Sequence, residues 1–81
     1  MLTSKEAWEL VSERAPRGEW MALTAIYDIV ERGAQLDAED RMPLTDRNRS
    51  PRWKRTVRNA LQKQKTAHAI EWDGSGRYRL A

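Results

Sequence analysis

The run Ser50-Pro51-Arg52-Trp53-Lys54-Arg55-Thr56-Val57-Arg58-Asn59-Ala60-Leu61-Gln62-Lys63-Gln64 repeats its apolar residues at helical spacing, and Ile70-Glu71-Trp72-Asp73-Gly74-Ser75-Gly76-Arg77-Tyr78-Arg79-Leu80 alternates them. Serine before proline is a helix start, with Ser50 as N-cap and Pro51 at the first helical position, where a missing amide costs nothing. The spacing predicts a helix over 51–64. At about 100° per residue, Trp53, Val57, Ala60, Leu61 and Gln64 fall on one side, while Arg52, Arg55, Arg58, Asn59 and Gln62 fall around the other. The second run reads as a β-hairpin turning at Asp73-Gly74-Ser75-Gly76. Its alternation puts Ile70, Trp72, Tyr78 and Leu80 on a buried face and Glu71 beside Arg77 and Arg79 on the wet one.

Upstream, Thr3-Ser4-Lys5-Glu6 is a capping box, in which the Thr3 hydroxyl takes the Glu6 amide and the Glu6 carboxylate returns to the Thr3 amide. Ala7, Trp8, Leu10, Val11 and Ala15 follow at three-and-four spacing up to Pro16-Arg17-Gly18, which predicts a helix over 4–14. Residues 19–23 are short and apolar and suit one edge strand. Thr24 is placed to cap a helix over 25–32 with Ile26, Ile29 and Val30 inward, and Gly33 fits the left-handed position that closes it. Residues 34–49 hold no sustained period and include Pro43, so they read as a long loop with room for a short helical turn.

The 81 residues suffice for one small domain with a thin core, spanning 1–81. Hydrophobic residues at 40% and charged residues at 33% are globular usage. Trp8, Trp20, Trp72 and Tyr27 are expected in or near the core. The absence of cysteine excludes disulfide scaffolds, thiolate metal sites and thiol catalysis, and fits a reducing cytoplasm. The single histidine, His68, has no companion ligand, and no Asp or Glu stands two residues before any lysine, which removes the Glu-x-Lys half of a common nuclease core. No catalytic constellation, metal or cofactor is therefore expected. The longest apolar run, Trp20 to Leu23, is far short of the roughly 20 residues a membrane helix requires, so a soluble chain with no membrane partner is predicted.

The net charge of +3 conceals a strong polarity. Residues 1–40 hold four bases and nine acids, residues 41–65 nine bases and one acid, and residues 66–81 two of each. A block that basic raises a local potential that attracts a polyanion.

Helix, short strand, helix, loop, cationic helix and hairpin is the element order of an α+β winged helix-turn-helix, with three helices and a small antiparallel sheet. Residues 53–61 together with 70–80 sharpen this reading. From Trp20 to Leu80 the chain resembles the winged-helix DNA-binding domains of prokaryotic modification-dependent restriction endonucleases, in particular the C-terminal domain of the enzyme that cuts adenine-methylated GATC sites. The most specific part is the basic helix, apolar strand, Gly-x-Gly turn and ending Tyr78-Arg79-Leu80, one residue shorter than a Tyr-x-x-Leu pattern; residues 34–49 match little. The resemblance implies reading of N6-methyladenine in double-stranded DNA by the 51–64 helix and the loop before it, and a covalently linked nuclease domain in a longer restriction protein.

Among individual residues, Arg52, Arg55, Arg58 and Asn59 are the expected base readers, since asparagine pairs bidentately with the adenine edge and arginine with guanine. A merely solvated helix face is the alternative. Thr56 and Ser50 lie on the same approach. Arg41, Arg47, Asn48 and Arg49 precede the helix and are placed to hold phosphates, unless the loop is only solvated. Arg77 and Arg79 on the hairpin suit backbone contacts, with pairing to Glu71 an equal rival. Trp53 is either core, by its period with Val57 and Leu61, or the apolar wall of a methyl-base pocket. A methylation-independent DNA-binding regulator and a winged helix used for protein interaction are the competing functions.

Overall fold

The computed structural model describes Met1–Ala81 throughout. In chain order the elements are α1 (Ser4–Arg14), β1 (Met21–Ala22), α2 (Leu23–Gly33), α3 (Ala38–Arg41), α4 (Arg52–Thr66), β2 (Ile70–Trp72) and β3 (Arg77–Leu80). The fold is α+β, with four helices and a three-stranded antiparallel sheet of order β1-β3-β2. No helix is long and apolar enough to cross a membrane.

Helix α1 occupies the predicted residues. The Thr3 hydroxyl oxygen accepts from the Glu6 amide at 3.1 Å, but the Glu6 carboxylate accepts from the Thr3 hydroxyl at 3.0 Å rather than from its amide. Helix α2 begins two residues earlier than expected, with Ala22 as an N-cap that offers no side-chain acceptor, so Thr24 lies inside the helix and caps nothing. Gly33 also corrects its expectation. It is helical and lacks a positive φ, and a Cβ there would stand 2.8 Å from both Leu10 Cδ2 and the Arg14 guanidinium. Its glycine serves the close approach of α1 and α2 rather than a left-handed turn.

The loop expected over 34–49 carries the one-turn helix α3, closed by a capping box between Asp37 and Asp40. The Asp40 side chain is 1% exposed and accepts from the Leu2 amide at 2.9 and 3.1 Å and from the Asp37 amide at 3.2 Å. A buried carboxylate is tolerated here because backbone donors surround it.

Helix α4 starts one residue later than the serine-proline signal places it. Pro51 is the N-cap, Ser50 lies exposed outside, and no side chain caps the helix. The first amide is satisfied instead by the chain itself: Arg52 N donates to the Met42 carbonyl at 2.9 Å, beside an antiparallel bridge between Pro43 and Pro51. At the other end, α4 runs two residues beyond the predicted stop and closes in a Schellman motif. Ala69 N donates to Gln64 O at 2.9 Å and His68 N to Lys65 O at 3.1 Å, with His68 left-handed at φ 63°. The lone histidine sits where glycine is the ordinary choice.

Ala7 and Val11 of α1, Ile26 and Val30 of α2, and Trp53, Val57, Ala60 and Leu61 of α4 form the core with Ile70 and Leu80 of the sheet. The hairpin register pairs Ile70 with Leu80, Glu71 with Arg79 and Trp72 with Tyr78, while β1 adds Met21 opposite Tyr78. Two expected core residues lie largely outside: Trp20 is 41% and Trp72 46% exposed. Tyr27, Tyr78 and Trp8 are half-buried against the core. The face assignment of the alternation holds, but the sheet reaches past the helices that cover it.

Candidate nucleic-acid interface

With Trp53, Val57, Ala60 and Leu61 turned into the core, the opposite side of α4 presents Arg55, Arg58, Asn59, Gln62 and Lys63, all exposed. Helical period thus converts burial of one stripe into display of another. Four of these five carry hydrogen-bond donors suited to base edges or phosphates in bidentate fashion, Lys63 adding a point charge.

The other expected site residues divide into free and committed groups. Arg47 and Arg49 are exposed on the loop closed by the Pro43–Pro51 bridge. Asn48 shapes that loop: its side-chain oxygen accepts from Ser50 N at 3.1 Å, and its own amide donates to the Thr45 hydroxyl at 2.8 Å. Asn48 is thus a turn residue whose NH2 group remains free to meet a ligand. Arg52 is also committed. Its guanidinium donates to the Pro43 carbonyl at 3.4 Å and lies 3.8 Å from Glu39, tying the loop to the start of α4. Thr56 is half-buried beside it.

Trp53 is 2% exposed and lies edge-on to Tyr27, so burial joins the two alternatives weighed for it on the side of the core. Arg79 pairs with Glu71 at 2.9 Å, and its guanidinium carbon lies 4.6 Å from the centroid of the Trp20 ring. Arg77 is exposed and unpaired. The turn between them is held by Asp73, whose carboxylate accepts from Ser75 N at 2.7 Å and Arg77 N at 3.1 Å. Those two amides hold its carboxyl below the ordinary value.

Sequence reasoning missed a second row of residues, on the flank of α4 that faces the hairpin and α2. The Lys54 ammonium lies 5.1 Å from the Tyr27 centroid and 5.8 Å from that of Trp53, and the Lys65 ammonium 4.6 Å from that of Trp72. Between them in sequence, Arg58 acts on two phenols. Burial raises both Tyr27 and Tyr78 above the ordinary value, and the Arg58 charge opposes the rise in each. Positions 54, 58 and 65 fall on one side of a helix, so the cationic half of this row was present in the period; nothing in the sequence showed which rings would meet it. Beside Tyr27, a shallow depression of about 180 Å3 is lined by Thr24, Asp28, Glu31, Trp53 and Lys54.

The acidic and basic parts of the sequence meet at two places, where Lys54 shares a depression with Asp28 and Glu31 and where Arg52 lies beside Glu39. Glu6, Glu9 and Glu13 border a depression between α1 and α2, while Lys63 of α4 lies beside α1 with Ser4, Lys5 and Trp8. Of the nine bases between 41 and 65, only Arg52 has a carboxylate within ion-pair distance. Comparison with protein-family models, with curated proteins and with solved structures yields no match.

Proposed function

We propose that the chain is a winged-helix module that binds double-stranded DNA, with α4 in the major groove and the β2–β3 hairpin as its wing. The observation that carries this reading is the row of cations on and before α4 that lack acidic partners. Residues 41–65 hold nine bases and one acid, and the other eleven acidic residues of the chain lie elsewhere. They lie mostly on α1, α2 and α3, leaving Arg47, Arg49, Arg55, Arg58 and Lys63 for a partner that brings its own negative charge. Phosphates supply that charge, and Arg55, Asn59 and Gln62 add groups capable of reading bases. Use of the same face for protein interaction is disfavoured because the cores of protein interfaces are depleted of charge.

The sharper form of the proposal is preference for N6-methyladenine as the targeting part of a restriction system. Its support is the resemblance over Trp20 to Leu80 and the exposure of Asn59 on α4. A methylation-blind regulator is the competing form.

The test is a duplex titration across salt. Neutralising about five phosphates gives a slope of log affinity against log salt of roughly −4 to −5. A flat response, or no binding to duplex at low salt, would return the chain to the protein-interaction reading.

A further inference from the structure

The hairpin is longer than the core beneath it. Ile70 and Leu80 are buried, while Trp72, two residues along β2 and on the same face, is 46% exposed, with Tyr78 opposite it half-buried. This overhang lies beside α4, where Lys65 stands over the Trp72 ring at 4.6 Å. Further back along the same side of the helix lie Arg58, exposed, and Lys54, which stands over the Tyr27 ring. The three cations span roughly 16 Å of helix. None has a carboxylate partner.

Cations and aromatic rings interleaved along one flank of α4 match a nucleic-acid strand whose bases are unpaired, because the phosphates meet the cations and each base offers a flat face to a ring. An intact duplex cannot use the rings in this way, since it presents only base edges in its grooves. A protein partner fits poorly, because seating apolar groups on these rings would desolvate unpaired cations. We infer that the flank of α4 beside the hairpin holds single-stranded DNA where it leaves a duplex, with Trp72 stacking on an unpaired base and Arg58 and Lys65 meeting the flanking phosphates. The inference rests on the duplex reading above and makes the partner a junction rather than a continuous helix.

Fluorescence anisotropy with three DNAs tests it: a blunt duplex, the same duplex with an overhang of about five nucleotides at either end of one strand, and that short strand alone. Each is titrated with the full chain and with W72A, W72F and W20A. Trp20 lies on the other face of the sheet, with Arg79 over it, and controls for the loss of an exposed indole. An overhang should raise affinity about tenfold. W72A should abolish that gain and leave blunt-duplex binding unchanged, while W72F and W20A keep most of it. Equal affinity for blunt and overhanging DNA, or a gain that survives W72A, overturns the inference and leaves duplex binding standing. Trp72-dependent binding of the short strand without duplex binding supports the stacking site and overturns the duplex reading. Failure to bind any of the three overturns both.

Discussion

The Trp53 indole meets the Tyr27 ring edge to face, with centroids 5.7 Å apart and planes at 82°. That contact joins α4 to α2 at the first turn of the helix that displays the cations. Trp53 therefore sets the position of the cation-bearing face while lying buried beneath it. Trp53→Ala should destabilise the domain by about 3 kcal/mol or more, which in a chain of this size approaches its whole stability. Chemical denaturation measures the loss. Trp53→Phe should keep the fold and DNA affinity, and a stable Trp53→Phe protein that no longer bound DNA would restore the indole to the interface.

His68 offers the opposite sign. A left-handed non-glycine residue costs on the order of 1 kcal/mol, and its backbone conformation is fixed by two hydrogen bonds to the end of α4. His68→Gly should raise stability by about 1 kcal/mol, a gain of roughly 5 °C in Tm. An unchanged or lower Tm would mean that the imidazole makes a compensating contribution.

What could be read from the chain depended on whether local rules had competitors. The 4–14 helix and the inward stripe Trp53, Val57, Ala60 and Leu61 follow from period alone, and packing agrees with it. Caps were less legible. Ser50 and Thr24 carry good capping groups, but the chain satisfies α4 through the Met42 carbonyl and begins α2 straight from β1, which a local motif cannot anticipate. Gly33 illustrates the same limit: glycine permits both a positive φ and a close helix contact, and only tertiary packing distinguishes them. Alternation places Trp72 on the face it occupies, opposite Tyr78, but does not say where along a strand the cover ends.

The divided roles of the arginines predict a divided response to mutation. Arg55→Ala and Asn59→Ala should each cost about 1–3 kcal/mol on a preferred site and much less on random duplex, with little change in stability. Arg79→Ala should weaken both DNAs alike. Its ion pair with Glu71 is partly exposed and worth at most about 1 kcal/mol, so its stability effect should be small. Equal losses on both DNAs for all three variants would mean that α4 does not read sequence.

Acid should loosen the hairpin turn. The Asp73 carboxyl is held below its ordinary value first by the Ser75 amide and then by that of Arg77. A depressed folded value means that its stabilising effect is complete above the unfolded pKa, near 3.9, and disappears as pH falls through the folded one. NMR titration should therefore show the Ser75 and Arg77 amides shifting together with the Asp73 carboxyl below about pH 4. Titration of Asp73 at or above the ordinary carboxylate value would contradict the turn geometry.

The preference for N6-methyladenine is the most exposed prediction. The methyl replaces one hydrogen of the adenine amino group in the major groove, leaving one donor and adding a small apolar surface. Trp53 is too deeply buried to supply a wall for it, so Asn59 on α4, with its neighbours, must do so. At about 0.8 kcal/mol per buried methylene-sized group, a favourable contact alone gives a preference of roughly fourfold. A larger factor requires a pocket that also disfavours the unmethylated amino group by leaving its second hydrogen without an acceptor. Asn59→Leu should then weaken binding to methylated and unmethylated sites by different factors, because it removes the acceptor and puts apolar bulk of similar size in its place. Competition among fully methylated, hemimethylated and unmethylated duplexes of one sequence gives the ratio directly. Equal binding of all three would leave a winged helix that binds DNA without regard to methylation.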